Sequence, residues 1–343
     1  MANVSGWEPD VLPGYLQRCF ALGPDPDGEG ELVATLVRRG QAEPSARHAV
    51  LVVHGFTDYF FHTELADHFA ARGFDFYAID LHKCGRSHRP GQTPHFTTDL
   101  RHYDAELDAA LDVVAASGPV RVLMYGHSAG GLVVSWWLHR LRTRRPDLHR
   151  HLSGLVLNSP WLDLHGPAIL RTPPASAALR AMRRLRKHSV VRPPGQSGYG
   201  ATLHRDYFGD FDYNLQWKPV GGFPVTAGWI HAIRRAQTRL HRGLDVGVPN
   251  LILRSDHSVR EVADPERIQR GDAVLDVTQI ARWAGCIGNR TTIVPIADAK
   301  HDVFLSLPGP RRAAYAELDR WLDWYLAETS QSPTPQNESG GHG

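Results

Sequence analysis

The sequence places this 343-residue chain in the α/β class, built on a mostly parallel eight-stranded sheet with helices on both faces. Three observations predict it. Strands and helices alternate along most of the chain, and the strand runs are continuously apolar, as strands covered on both faces must be. The stretch VRVLMYGHSAGG, residues 120–131, joins an apolar strand to an apolar helix through a turn flanked by glycines, which admit a strained turn and a close helix–strand approach.

The elements follow in order. Residues 15–22 and 31–39 alternate like paired strands across the turn-rich GPDPDGEG of 23–30, predicting an antiparallel hairpin at one sheet edge. Then come AVLVVHG (49–55), a helix over 61–72, FDFYAIDL (74–81) and a helix over about 99–116. The strand before GHSAGG leads into a helix with Leu132, Val133, Val134, Trp136, Trp137 and Leu138, apolar nearly all round. LSGLVLNSPWLD (152–163), NLILRS (250–255) and TTIVPIA (291–297) supply the last three strands. A helix over 311–327 sets Ala314, Tyr315, Leu318, Trp321, Leu322 and Tyr325 on one face, enough to close one side of the sheet.

One interval breaks the rhythm. Residues 164–247 are too long for an ordinary connection and predict an inserted subdomain between core parts 1–163 and 248–327. It holds a basic segment with Arg180, Arg183, Arg184, Arg186 and Lys187, and aromatic residues at Tyr199, Tyr207, Phe208, Phe211, Tyr213, Trp217, Phe223 and Trp229. A lid over an apolar substrate would use such residues; each aromatic is also explained by the insert's own small core. The basic stretch reads as a solvated helix face, with contact to a membrane surface through Leu179, Met182 and Leu185 as the lesser reading. Residues 328–343 lack apolar anchors and are expected to be a disordered tail.

Composition excludes several classes of function. Apolar content of 42% and charge of 22% suit a soluble globular protein, and no apolar run reaches the ~18 residues of a membrane span. The N-terminus has neither a basic nor an apolar leader region, so the cytoplasm is the expected location. Cys19, Cys84 and Cys286 are odd in number and lack CxxC spacing, which predicts reduced thiols without a zinc site. A net charge of +2 with mixed signs gives no field for nucleic acid. Oligomeric state is not encoded in any of these features.

The chemistry centres on Gly126-His127-Ser128-Ala129-Gly130. A GxSxG core between strand and helix lifts its serine hydroxyl above the sheet edge, which makes Ser128 the candidate nucleophile. A serine needs a histidine as base and a carboxylate to orient that histidine. Chain order places the base in the loop after the last strand, where His301 stands in IADAKHDVFLS; His68, His139 and His231 fall on helices. His127 is expected to point to the opposite face from the serine and to serve packing. The acid stays open among Asp256, Asp272 and Asp276.

VLVVHGF (50–56), DLHKCGRS (80–87), GHSAGG (126–131), LNSPWLD (157–163) and AKHD (299–302) together resemble the α/β-hydrolase superfamily, and within it the monoacylglycerol lipase, lysophospholipase and serine aminopeptidase (S33) group, over about residues 15–327. Lys83 stands where that group usually has a glycine. The resemblance implies the α/β-hydrolase fold with an inserted lid. It also selects the acid: DAVLD, 272–276, matches the group's DxVxD turn, which assigns Asp272 to the triad and leaves Asp276 to cap the next helix, with Asp256 as the competitor. An oxyanion hole needs two backbone donors; Ala129 follows the serine, and HGF after the third strand supplies Phe56. The expectation is a serine hydrolase of carboxylic esters with an apolar, lipid-like acyl group, needing no cofactor or metal. Amidases, peptidases and thioesterases share the triad, and a binding module that has lost catalysis is the rival from another class.

Overall fold

The computed structural model describes residues 6–40, 47–118, 120–166, 168–195, 198–259 and 264–330. Its main sheet has nine strands, because a two-residue β1 (Glu8–Pro9) adds to the edge of the expected eight. The others are β2 (Tyr15–Pro24), β3 (Glu31–Arg39), β4 (His48–Val53), β5 (Phe74–Asp80), β6 (Arg121–His127), β7 (Leu152–Asn158), β10 (Asn250–Ser255) and β11 (Thr291–Ile296), with β8 (Val190–Arg192) and β9 (Val225–Thr226) forming a separate ribbon. The order is β1-β2-β3-β5-β4-β6-β7-β10-β11. β1 to β3 pair antiparallel and β3 joins β5 antiparallel; every pairing from β5 to β11 is parallel.

The principal helices are α1 (Thr63–Ala71), α2 (Asp104–Ala116), α3 (Ala129–Arg144), α4 (Pro173–Arg186), α5 (Ala227–Leu240), α6 (Val277–Trp283) and α7 (Pro308–Ser330). The strands sort their side chains by parity, as a pleated strand must. Leu51, Val53, Val122, Met124, Leu155 and Leu157 face α2, α3 and α5. Val50, Val52, Leu123, Val156, Leu251 and Leu253 face α1 and α7, where Phe69, Leu318, Trp321 and Leu322 close the second layer. Among the described residues, no helix is long and apolar enough to cross a membrane.

Several boundaries differ from expectation for local reasons. β7 ends at Asn158 rather than running on to 163, because Ser159 has φ 45° and Pro160 follows, so LNSPWLD is a strand and a turn. The expected helix over 99–116 is a 3-10 turn at Leu100–Tyr103 and then α2, with Asp99 accepting the Arg101 amide at its start. α7 continues to Ser330, three residues past its expected end; residues 331–343 of the expected tail lie outside the described residues.

Position matters more than boundaries here. β4 lies between β5 and β6, so successive crossovers leave it in opposite directions, and a crevice opens at the C-terminal ends of β4 and β6. His54-Gly55-Phe56 follows the one strand and Ser128 follows the other.

Candidate active site

Ser128 has φ 52° and ψ −119°, a conformation that a side-chain-bearing residue holds only when its surroundings impose it. Here they do. The Ser128 amide donates to the Asn158 carbonyl (3.0 Å), and its own carbonyl accepts from Gly131 (3.1 Å) and Trp161 (3.0 Å). A Cβ at Gly130 would lie 2.2 Å from the His54 carbonyl oxygen, and one at Gly126 would lie 2.8 Å from Gly131 Cα. Only glycine lets α3 press this closely on β4 and β6.

His301 and Asp272 converge on the serine from separate loops. His301 Nε2 is 2.9 Å from Ser128 Oγ, and His301 Nδ1 is 2.9 Å from Asp272 Oδ2. All three are buried; the serine is 8% exposed and Asp272 not at all. The second Asp272 oxygen accepts the Val274 and Leu275 amides, each at 2.8 Å, which leaves its Oδ2 directed at the imidazole.

The competing acids lie elsewhere. The Asp256 side chain is 40% exposed, contacts His257 Nδ1 at 2.8 Å and accepts the Asp298 amide at 3.1 Å. Asp276 accepts the Thr278 amide and hydroxyl at the start of α6. His127 needs a correction: its ring lies 5.0 Å from that of His301 instead of on the opposite face, and its Nδ1 is 3.1 Å from the Asn158 carbonyl. Burial first, then the neighbouring His301 and Lys218, holds its pKa below the usual imidazole range, so it sits there as a neutral packing and hydrogen-bonding group.

Phe56 and Ala129 are brought together around one small apolar cavity that also touches His54, Trp229 and Val133. Ala129 opens α3, so its N–H has no intrahelical acceptor. The Phe56 loop is braced on two sides. His54 Nε2 accepts the Leu81 amide (3.1 Å), which leaves Nδ1–H to donate to the Gly55 carbonyl (2.8 Å). Asp58 accepts from Gly55 (3.4 Å) and pairs with Lys218 (2.7 Å). Burial alone would raise the Asp58 pKa, but Lys218, with His127 and His54, overrides it and holds the carboxyl far below its usual range.

Ligand atoms of His54, Cys84 and His95 lie within 4.8 Å of one another, the one such cluster among the described residues. Both His54 nitrogens are already engaged, and burial holds the Cys84 thiol protonated by raising its pKa well above its ordinary value. Within the trio, His54 bonds the Gly55 turn, and Cys84 bonds His95 and the His82 carbonyl. Lys83, with φ 62° where a glycine is usual, is buried and paired with Asp25 (2.6 Å) and Glu29 (2.7 Å) from the β2–β3 turn. Those two ion pairs anchor the side chain of a residue whose left-handed backbone costs roughly 1–2 kcal/mol.

The segment between β7 and β10 also touches the site. The Asp302 amide donates to the Tyr199 hydroxyl (3.0 Å), and Lys300 Nζ donates to the Thr202 carbonyl (2.8 Å). Asp302 in turn accepts from Asn158 Nδ2 (2.7 Å). Sequence reasoning named Tyr199 only within a list of aromatics and missed Asn158, Asp58, Lys218 and Asp302. LNSPW and AKHD had flagged the neighbourhood of two of them.

A family model described as serine aminopeptidase, S33, matches residues 44–269, well over half of the chain, and ends short of both Asp272 and His301. No curated protein sequence matches the chain. Among solved structures, a soluble variant of monoglyceride lipase from Saccharomyces cerevisiae in complex with a substrate analogue is 18% identical, with a TM-score of 0.61 over 93% of this chain and 94% of that one. The monoacylglycerol lipase of Paleococcus ferrophilus is 18% identical (TM-score 0.55, 90% and 99% covered). A thermostable carboxyl esterase from Bacillus coagulans in complex with glycerol is 13% identical (TM-score 0.58, 92% and 100% covered). At such identities these likenesses establish a shared fold, the α/β-hydrolase fold.

Proposed function

The chain belongs to the serine aminopeptidase S33 family of hydrolases, and from that premise we propose that it cleaves carboxylic esters with lipid-like acyl groups through Ser128, His301 and Asp272. One observation carries the reading: the unbroken line Ser128 Oγ, His301 Nε2, His301 Nδ1, Asp272 Oδ2, with 2.9 Å at each gap. Ser128 attacks the ester carbonyl as His301 takes its proton. The Phe56 and Ala129 amides receive the oxyanion, and His301 returns the proton to the departing alkoxide. Water, deprotonated by the same imidazole, then clears the acyl-enzyme. Asp272, whose other oxygen accepts two backbone amides, fixes the tautomer. No step calls on a metal or cofactor.

Ester rather than aminopeptide cleavage is supported by the fold's likeness to lipases and to a carboxyl esterase. The lipid-like acyl group is supported by the aromatic residues of the insert and by the fold's likeness to lipases of monoacylglycerol. We assign residues 164–247 the role of a cap whose Tyr213 and Trp217 pack with Tyr59 and Phe61 near the Phe56 loop. Turnover of p-nitrophenyl esters from acetate to palmitate, with monoacylglycerols, a lysophospholipid and an aminoacyl anilide alongside, tests the assignment. Medium or long acyl esters should lead, and a preference for the anilide would overturn it.

A further inference from the structure

A second cleft lies away from the serine, where α3 and α5 meet the turn at Leu100–Tyr103, with a volume of about 280 Å3. Arg101, Arg140, Arg235 and Arg239 line it together with Trp136, and a single acid, Asp99, faces them. We propose that this cleft binds a small phosphomonoester.

Three of the four guanidinium groups are already held in place. Arg101 and Arg235 share one Asp99 oxygen at 2.6 and 3.0 Å, so that acid positions two cations while neutralising one. Arg140 pairs with Asp104 outside the cleft, donates to the Trp136 carbonyl (3.1 Å) and lies 4.8 Å from the Trp136 ring centroid. Arg239 pairs with no acid among the described residues and stands one helical turn after Arg235. Like charges at that spacing repel unless an anion lies between them. One turn before Arg235, burial and then Arg183, Arg235 and Arg180 push the His231 pKa down to about 4, which fits the excess of cations on this side of α5.

Guanidinium forks match phosphate oxygens in pairs, which selects phosphate over a point-charge anion. The volume sets the size. Clefts for drug-sized ligands run from roughly 300 to 1,000 Å3, so this one suits a phosphate on a carbon skeleton of a few atoms rather than a nucleotide. Such a group is found free or as the headgroup of an anionic lipid.

The test is calorimetric titration of the whole chain with glycerol 3-phosphate at fixed ionic strength, beside sedimentation with vesicles of phosphatidylcholine with or without phosphatidic acid. Wild type should bind saturably. Arg239→Gln, which removes no ion pair seen among the described residues, should weaken binding several-fold, and Arg235→Gln/Arg239→Gln at least tenfold, with the far-ultraviolet circular dichroism of both unchanged. Binding of the soluble phosphate assigns a free metabolite; arginine-dependent binding to phosphatidic acid vesicles alone assigns the lipid headgroup. No binding in either arm, or equal binding by wild type and the double variant, overturns the proposal.

Discussion

The candidate nucleophile and base are held by different parts of the chain. Ser128 is fixed by backbone: β6 ends beneath it, α3 begins from it, and the Asn158, Gly131 and Trp161 main chains bond to it. His301 rides on a loop whose neighbours on either side, Lys300 and Asp302, are tied to Thr202 and Tyr199 of the insert. The same contrast runs through the packing. α3 buries residues along most of its length, whereas in α4 Met182 and Leu185 are exposed, the latter by 84%. Ser128 is thus held by the core, whereas the residues on either side of His301 are held by Thr202 and Tyr199, so changes at those two positions are expected to act on the candidate base.

The largest expected effect probes the base. Asp272→Asn leaves the loop in place but spoils the imidazole tautomer, and kcat should fall about 10^4-fold. Asp256→Asn should leave turnover within about twofold of wild type, since its carboxylate touches His257 and Asp298 instead. Steady-state kinetics on one ester separates the two.

Next comes the bond between Lys218 and Asp58 of the Phe56 loop. Lys218→Met strands a buried carboxylate and should cost about 3–5 kcal/mol in denaturant unfolding. The same pair predicts a pH effect. The folded pKa of Asp58 lies below its unfolded value, so its contribution is complete above about pH 4 and is lost as pH falls through the acid range. Thermal unfolding across that range should show Asp58→Asn, weaker at neutral pH, losing less on acidification than wild type.

On the nucleophile's side, Gly130→Ala drives a methyl against the His54 carbonyl and should cost about 3 kcal/mol, with Ser128 reactivity lost alongside stability. The smallest effect is Tyr199→Phe, which removes one acceptor of the Asp302 amide, worth ~1 kcal/mol. It should lower kcat about fivefold with KM nearly unchanged. An unaltered kcat would mean that the base loop does not depend on the insert.

This division also explains what the sequence could and could not reveal. Strands β4 to β7 are local apolar runs, the turn at Ser128 is marked by its glycines, and their order in the chain directs attention to His301. The acid is not local. Asp256 and Asp272 differ in whether a carboxylate is buried against a loop 29 residues further on, which periodicity and composition do not express, so that the family resemblance of DAVLD alone separates them. Lys83 looked like a departure from pattern because its partners, Asp25 and Glu29, lie in a distant turn. His127 was assigned to the wrong side because strand parity says nothing of a ring that bends toward its neighbour at the strand's end. In the insert, aromatic content alone could not separate buried Tyr213 and Trp229 from exposed Tyr207 and Phe208.

The central claim, an activated Ser128, is tested most directly by intact-mass measurement after treatment with a fluorophosphonate probe. Wild type should gain one adduct, mapped to Ser128, with loss of esterase activity at the same rate. Ser128→Ala should gain none while keeping its fold. An unlabelled wild type, or equal labelling of Ser128→Ala, would contradict the account.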